Sequence, residues 1–399
     1  MTRSRSALIV LVAAGLILML SIGTRQGFGL FLHPMCSALG WGRETFSAAI
    51  ALQNLVWGLA QPFTGMIADR YGAARVTAVG GLLYALGLVM MAYSTTGPAL
   101  DVSAGLLIGL GLSGASFGVV LGVVGRAVRP ERRTAALGLV GAGGSIGQFV
   151  MLPYGQLLIS QFGWFNALLV LAASAFLIVP LAAAFASKAA VARSGGQQQP
   201  IASALREAGR HKGFWLATVS FAVCGFQTVF IMTHLPAYMV DRGATALEGM
   251  TALAIIGFAN IAGSVGAGIL GDRYSKKHVL GWIYAVRAVA IAAFISLPPS
   301  PVVTWTFAVV LGLTWLGTVP LTNALVAQIF GVQYLSTLFS IAFLGHQIGG
   351  ALGAWLGGYV FDATGSYFGV WMIAIAASVV AAAMCLPIDE RPLRRPVPA

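Results

Sequence analysis

Apolar runs separated by polar or Gly/Pro breaks divide the chain into twelve segments, near 7–32, 44–64, 76–95, 101–125, 135–159, 164–187, 213–239, 249–270, 279–297, 302–330, 336–361 and 367–387. Each is close to the length of about 20 residues that a helix needs to cross the hydrocarbon of a bilayer. The pattern predicts an all-α integral membrane protein of twelve transmembrane helices.

The segments repeat. Gly65-Met-Ile-Ala-Asp69-Arg70-Tyr71 recurs 203 positions on as Gly268-Ile-Leu-Gly-Asp272-Arg273-Tyr274, and each copy lies between two long apolar runs. Gly143-Gly-Ser-Ile-Gly147 matches Gly345-His-Gln-Ile-Gly349, Gly155 matches Gly357 and Gly163 matches Gly365, all at a spacing of 202. Repeats of this kind mark secondary transporters, whose two halves rock about a shared central site. The predicted organisation is a six-helix bundle over 1–187, a linker over 188–212 and a second six-helix bundle over 213–399. The linker carries Ser194-Gly-Gly-Gln-Gln-Gln-Pro200 and five basic residues, the composition of a solvated connector.

Composition sharpens this reading. Apolar residues make up 58% of the chain and charged residues 9%, so a water-soluble fold is excluded. The net charge of +12 is explained by topology rather than by nucleic acid. Nineteen of the twenty-three Lys and Arg fall in segments that share one side if the N-terminus is inside, while Arg43 and Arg242 fall in loops on the other. This positive-inside bias predicts that both termini are cytoplasmic. Arg3-Ser-Arg5 and the run after it lack a convincing cleavage site and read as an uncleaved first helix. Cys36, Cys224 and Cys385 fall on separate segments, so no disulfide framework is implied.

The motif at Gly65 to Arg75, the six-plus-six arrangement and the long central loop resemble the major facilitator superfamily over nearly the whole chain. In that family the motif lies between helices two and three and again between eight and nine, where both copies fall here. The resemblance implies a gating role for Gly65, Asp69, Arg70, Gly268, Asp272 and Arg273. Physically, Gly65 and Gly268 would let backbones approach closely, and Asp69 and Asp272 could pair with a base or a helix N-terminus to latch the cytoplasmic side. The second copy has Ser275 where the first has Gly72. Glycines repeating every four residues (Gly345, Gly349, Gly353, Gly357, and Gly114, Gly118, Gly122) predict two stripes of close helix packing.

Ionisable groups inside a membrane are costly and usually functional. All eleven acids fall in loops or at helix ends, which leaves Arg25, Arg287 and His346 in the spans. Arg25 sits about 13 Å of helix before an expected break at Pro34, and its side chain should lean toward the midplane. A permanently charged fork with no intramembrane acid is suited to an anionic substrate; neutral amides or carbonyls are the alternative partners. Arg287 is expected to lean toward the cytoplasmic end, where it could snorkel. His346, roughly 15 Å into the eleventh helix, is the intramembrane group best placed to titrate near neutral pH. His33 and His234 are assigned to the rim. Gln26, Gln53, Trp57, Gln148, Tyr154, Gln227, Trp315 and Asn323 are candidates to complete a cavity, and Gln53, Trp57 and Gln61 share one helix face.

No nucleotide motif, metal-ligand cluster or intramembrane carboxylate is present, so neither an ATP-driven pump, a membrane enzyme nor a bound cofactor is expected. Arg25, with the Gly345–Gly350 and Asp362–Tyr367 stretch, resembles the branch of monocarboxylate transporters and oxalate/formate exchangers. That resemblance implies a small organic anion as substrate, and the expectation is a monocarboxylate foremost, carried with a proton or counter-anion by a monomer in a bacterial inner membrane. A proton-coupled exporter of drugs or metabolites is the alternative, although Gly144 is followed by Ser145 where such exporters carry a Gly-Pro motif.

Overall fold

The computed structural model describes residues 2–128, 133–186, 201–331 and 335–393. Among these, ten helical runs are long and apolar enough to cross a membrane. One of them, Leu139–Phe185, is two spans folded back at Gly163, where φ is 73°. α3 (Arg43–Tyr71), whose apolar run is diluted by Gln53, Asn54 and Gln61, supplies the remaining span of twelve. The first span is α1 (Thr2–Gln26) with α2 (Gly29–Leu39). α4 (Ala73–Ala92) is the third; α5 (Gly97–Leu100), a π-helical turn over Asp101–Leu107, α6 (Ile108–Ala115) and α7 (Phe117–Ala127) form the fourth. α8 (Arg133–Phe176), continued by α9 (Ile178–Ala182), holds the fifth and sixth.

The short α10 (Ile201–Arg210) precedes the second half and buries Ala204 and Ala208. The seventh to ninth spans are α11 (Lys212–Asp241), α12 (Ala246–Arg273) and α13 (Lys276–Ser296). α14 (Pro301–Thr314) and α15 (Thr318–Phe330) make the tenth, α16 (Leu335–Thr364) the eleventh and α17 (Phe368–Cys385) the twelfth.

The repeat is visible in the backbone. Gly163 and Gly365 turn with φ of 73° and 70°, and Gly40 and Gly243 with φ of 67° and 84°, conformations that side chains with a Cβ rarely adopt. Tyr84 donates to the Ser21 carbonyl at 2.9 Å, and Tyr284 donates likewise to the Ser220 carbonyl at 2.5 Å. The two motif copies diverge where their sequences do: Gly72 leaves α3 with φ 98°, whereas Ser275 follows α12 with φ −57°.

Three spans read as continuous are broken. The first parts at Gly27-Phe28 rather than at Pro34, which sits inside α2; two glycines flanking Phe28 make that stretch the weakest helix former. The fourth parts at Ser116, which is extended, and the tenth over Trp315–Gly317. Carbonyls freed at such breaks must find donors within the protein. Ser21 donates to the Ala115 carbonyl at 2.8 Å, and Arg287 donates to those of Thr314 and Trp315.

The Gly345 stripe packs α16 on α11. A Cβ at Gly345, Gly349 or Gly353 would meet Thr218, Ala222 or Phe226, and one at Gly357 would meet the His234 ring. The expected stripe at Gly114 and Gly118 is cut by the break at Ser116, so Gly114 faces Val76 and Gly80 of α4 while Gly118 faces the Gln61 amide of α3. The halves meet where α16 packs on α3, α8 on α12 and α2 on α11.

Candidate functional site

Arg25 lies one residue before the end of α1, 8% exposed. Its Nη2 donates to Asn54 Oδ1 at 2.5 Å, its Cζ stands 5.1 Å from the centre of the Trp57 ring, and its buried Nε has no partner. Asn54 is fixed in turn by donating to the Ile50 carbonyl at 2.7 Å. No carboxylate among the described residues pairs with this guanidinium. A cation of this kind held only by a neutral amide and a ring face has spare capacity for an anion.

The second half reaches the same place through aromatic rings. Trp57 meets Phe343 edge-on at 5.6 Å, Phe343 stacks on His346 at 5.8 Å, and Phe221 lies tilted against that imidazole at 4.7 Å. His346 Nδ1 lies 3.1 Å from Gln347 Oε1, and its Nε2 is buried without a partner. Gln347 packs against Gly58, one turn beyond Asn54, and Gly350 lies against Asn54 Oδ1. Arg25 and His346, from opposite halves, thus converge on one layer between α1, α3, α11 and α16.

Of the twelve buried side-chain polar atoms without a partner among the described residues, five belong to Arg25, His346 and their chain neighbours: Thr24 Oγ1, Arg25 Nε, Gln26 Oε1, His346 Nε2 and Gln347 Nε2. Each such group costs about 1–3 kcal/mol when left unsatisfied, so a cluster of them marks a place suited to water or a ligand.

The other expected residues divide. Gln53, Trp57 and Gln61 do share a face, but it is turned to the fourth span: Gln53 donates to the Ala104 carbonyl, Trp57 Nε1 to Ser116 Oγ, and Gln61 lies on Gly118. Gln148 bridges the halves, donating to the Leu253 carbonyl at 2.9 Å. Tyr154 bonds Ser174 within its own half. Gln227 is occupied by the Ala374 carbonyl, Ser378 and Arg287, and Trp315 is buried at the break in the tenth span. Asn323 is half-buried in α15.

Arg287 does not snorkel. It is fully buried, with donors on Gln227 and on the carbonyls of the broken tenth span, which makes it a structural brace. The Asp69 side chain lies outside the described residues, and Arg70, Asp272 and Arg273 are exposed. A Cβ at Gly65 or Gly268 would meet nothing within 4 Å, so the close approach expected there is not made in this conformation.

The opposite end of the bundle carries a network that the pattern did not single out. Arg43 forms a two-pronged pair with Asp241, at 2.6 and 2.7 Å, donates to Tyr367 Oη at 2.9 Å and lies 3.8 Å from the centre of the Phe361 ring. Asp362 accepts from the backbone amides of Arg43 and Glu44 at 2.9 and 2.8 Å. It therefore caps α3 from the other half, where the chain's own cap, Gly42, has no side chain to offer. Glu44 accepts from Trp355 Nε1 at 3.0 Å. His234, expected at the rim, is 1% exposed beneath this cluster.

Twelve spans in two similar halves, with unpaired buried groups between them, define a multi-pass membrane transporter. The sequence profile described as Major Facilitator Superfamily matches residues 14–323 and 252–399, and the chain belongs to that family. Among curated relatives, monocarboxylate transporter 13 of Bos taurus is 26% identical over 360 residues, covering 89% of this chain and 83% of its own. The uncharacterized MFS-type transporter YcxA of Bacillus subtilis is 24% identical over 386 residues, covering 92% and 90%. The fold is similar to that of a bacterial homolog of the human lysosomal transporter Spinster, described as inward-facing and occupied, with a TM-score of 0.75 at 16% identity over 94% of this chain and 95% of that one.

Proposed function

We propose that the protein is a secondary active transporter of a small organic anion, a monocarboxylate foremost, working by alternating access with a proton or counter-anion. The observation that carries this reading is Arg25, a buried cation with no acidic partner among the described residues and an unpartnered Nε. The substrate carboxylate pairs with Arg25, positioned by Asn54. Trp57 and Phe343 cover its apolar part, and His346 Nε2 offers a hydrogen bond or a proton site; without it the proton travels on the substrate. The monocarboxylate transporters among the relatives favour this substrate class.

In this proposal the Arg43 end faces outward, both termini are cytoplasmic, and the monomer sits in a bacterial inner membrane. The outer side is latched through Arg43, while the Gly65 and Gly268 motifs stand apart and engage when the inner side closes. An organic-acid library screened by thermal shift tests the binding step, because a ligand of the folded state raises apparent stability. Small monocarboxylates raise Tm in the wild type and not in Arg25→Ala. A library in which only organic cations or neutral solutes shift Tm overturns the reading.

A further inference from the structure

We propose that His234 is a proton-binding site that couples protonation to release of the Arg43 latch. This coupling is conformational and does not depend on which solute is carried.

The hydrogen-bond directions at His234 are fixed by their two ends. The Ala354 carbonyl can only accept, and it lies 2.8 Å from His234 Nε2, so the proton of the neutral ring is on Nε2. Nδ1 is then an acceptor, and its partner at 3.0 Å is Tyr367 Oη, whose hydroxyl proton must point to it. At the far end Arg43 can only donate, and it donates to the same Tyr367 oxygen at 2.9 Å. Burial pushes the Tyr367 phenol above its ordinary range, against the pull of Arg43, which keeps the hydroxyl proton in place. The chain therefore runs one way, from Arg43 through Tyr367 to His234 and on to Ala354.

A proton added at Nδ1 reverses the middle bond. His234 would donate to Tyr367 Oη, the phenol proton would have to turn away, and one oxygen would face two cations. The remaining neighbours cannot absorb the change. Ser47 Oγ, 3.4 Å from Nε2, already donates to the Arg43 carbonyl at 2.6 Å. On α11, Phe230 and Tyr238 flank the pair, and Trp371 of α17 closes the aromatic wall. The charged groups nearby are Arg43 and Glu44 of α3, Asp241 of α11 and Asp362 of α16. All three acids are engaged, with Arg43, the α3 amides and Trp355. A proton at Nδ1 is therefore accommodated only as the latch opens, and the cost falls on the bond between Arg43 and Tyr367. Gly357 is required here because a Cβ would strike the imidazole.

The test is the distance between spin labels at Ser37→Cys and Ala246→Cys, exposed positions on opposite halves at this end, with the three native cysteines replaced by Ala and no substrate present. Spectra are compared between roughly pH 8 and 5.5, a window that spans the ordinary histidine range and stays above that of carboxylates. Acid should add a longer-distance population in the parent, His33→Gln should retain it, and His234→Gln, which can keep both neutral bonds, should abolish it. Should His234→Gln not fold, Tyr367→Phe serves, with an open distribution at both pH values. Identical distributions at the two pH values in the parent, or a parent-sized shift in His234→Gln or Tyr367→Phe, would overturn the proposal. Either result leaves the anion reading untouched.

Discussion

Asp241→Asn keeps the shape of the latch and removes one charge, so its effect can be worked out from the structure. A hydrogen bond to a charged group contributes about 1.5–3 kcal/mol, and Asp241 accepts two from Arg43. The aspartate side chain is 30% exposed against 11% for Arg43, so solvent screens the pair. Fully exposed pairs reach only about 0.2–1 kcal/mol. Between these limits we expect about 1–2 kcal/mol, a factor of about 5–30 in the population open at this end, at about 1.4 kcal/mol per decade. Cys36 is the native reporter: it is 7% exposed, and its Sγ lies 3.5 Å from the Gly42 carbonyl beneath the latch. When opening is fast relative to modification, the labelling rate follows the open population. Maleimide labelling of Cys36 at constant pH, read by peptide mass spectrometry, should therefore accelerate by that factor in Asp241→Asn. Arg43→Gln also gives up the bond to Tyr367, so it should accelerate labelling at least as much, and the double variant should add little to it because both break the Arg43–Asp241 pair. A folded Asp241→Asn whose Cys36 labels at the wild-type rate would refute the latch.

Two contrasts test the packing and the division of labour between the buried arginines. Gly353→Ala drives a Cβ into the backbone carbonyl of Phe226, whereas Gly65→Ala enters open space. Overpacking costs about 1–3 kcal/mol, while Ala for Gly in an open helix position gains about 0.5–1 kcal/mol. Melting in detergent should therefore move down for the first and slightly up for the second, and equal shifts would contradict the stripe. Arg287→Met strips donors from Gln227 and from the Thr314 and Trp315 carbonyls, a loss of roughly 2–4 kcal/mol. Arg25→Met removes a charge that lacks an acidic partner and should leave Tm unchanged or raise it. Equal destabilisation by both substitutions would make Arg25 a structural residue too.

The twelve spans and their duplication were legible because lipid imposes long apolar runs and because glycine turns such as Gly163 and Gly365 recur at a fixed offset. Arg25 and His346 stood out because charge is rare inside a membrane. Asn54 did not, although the Gln53-Asn54 amide pair in an apolar span was a signal, because nothing local distinguishes an amide that holds a guanidinium from one that joins two helices. The breaks at Ser116 and Trp315 were hidden for a related reason: they are held by Ser21, Trp57 and Arg287, which lie elsewhere in the sequence. The latch was least legible. Arg43, Asp241 and Asp362 read as ordinary loop charges, and only the meeting of the two halves makes them a network. His234 was misplaced at the rim because its depth depends on Tyr367 and Gly357 packing over it.

If Arg25 binds the carboxylate of the transported anion, uptake depends on its guanidinium. Uptake of radiolabelled monocarboxylate into proteoliposomes under an inward proton gradient addresses it directly, with Arg25→Ala and Arg25→Lys measured beside the wild type at equal reconstitution. The wild type should take up the solute, Arg25→Ala should lose uptake and Arg25→Lys should recover it only in part, since an ammonium cannot reproduce the planar two-pronged contact. Wild-type uptake by Arg25→Ala would contradict that dependence.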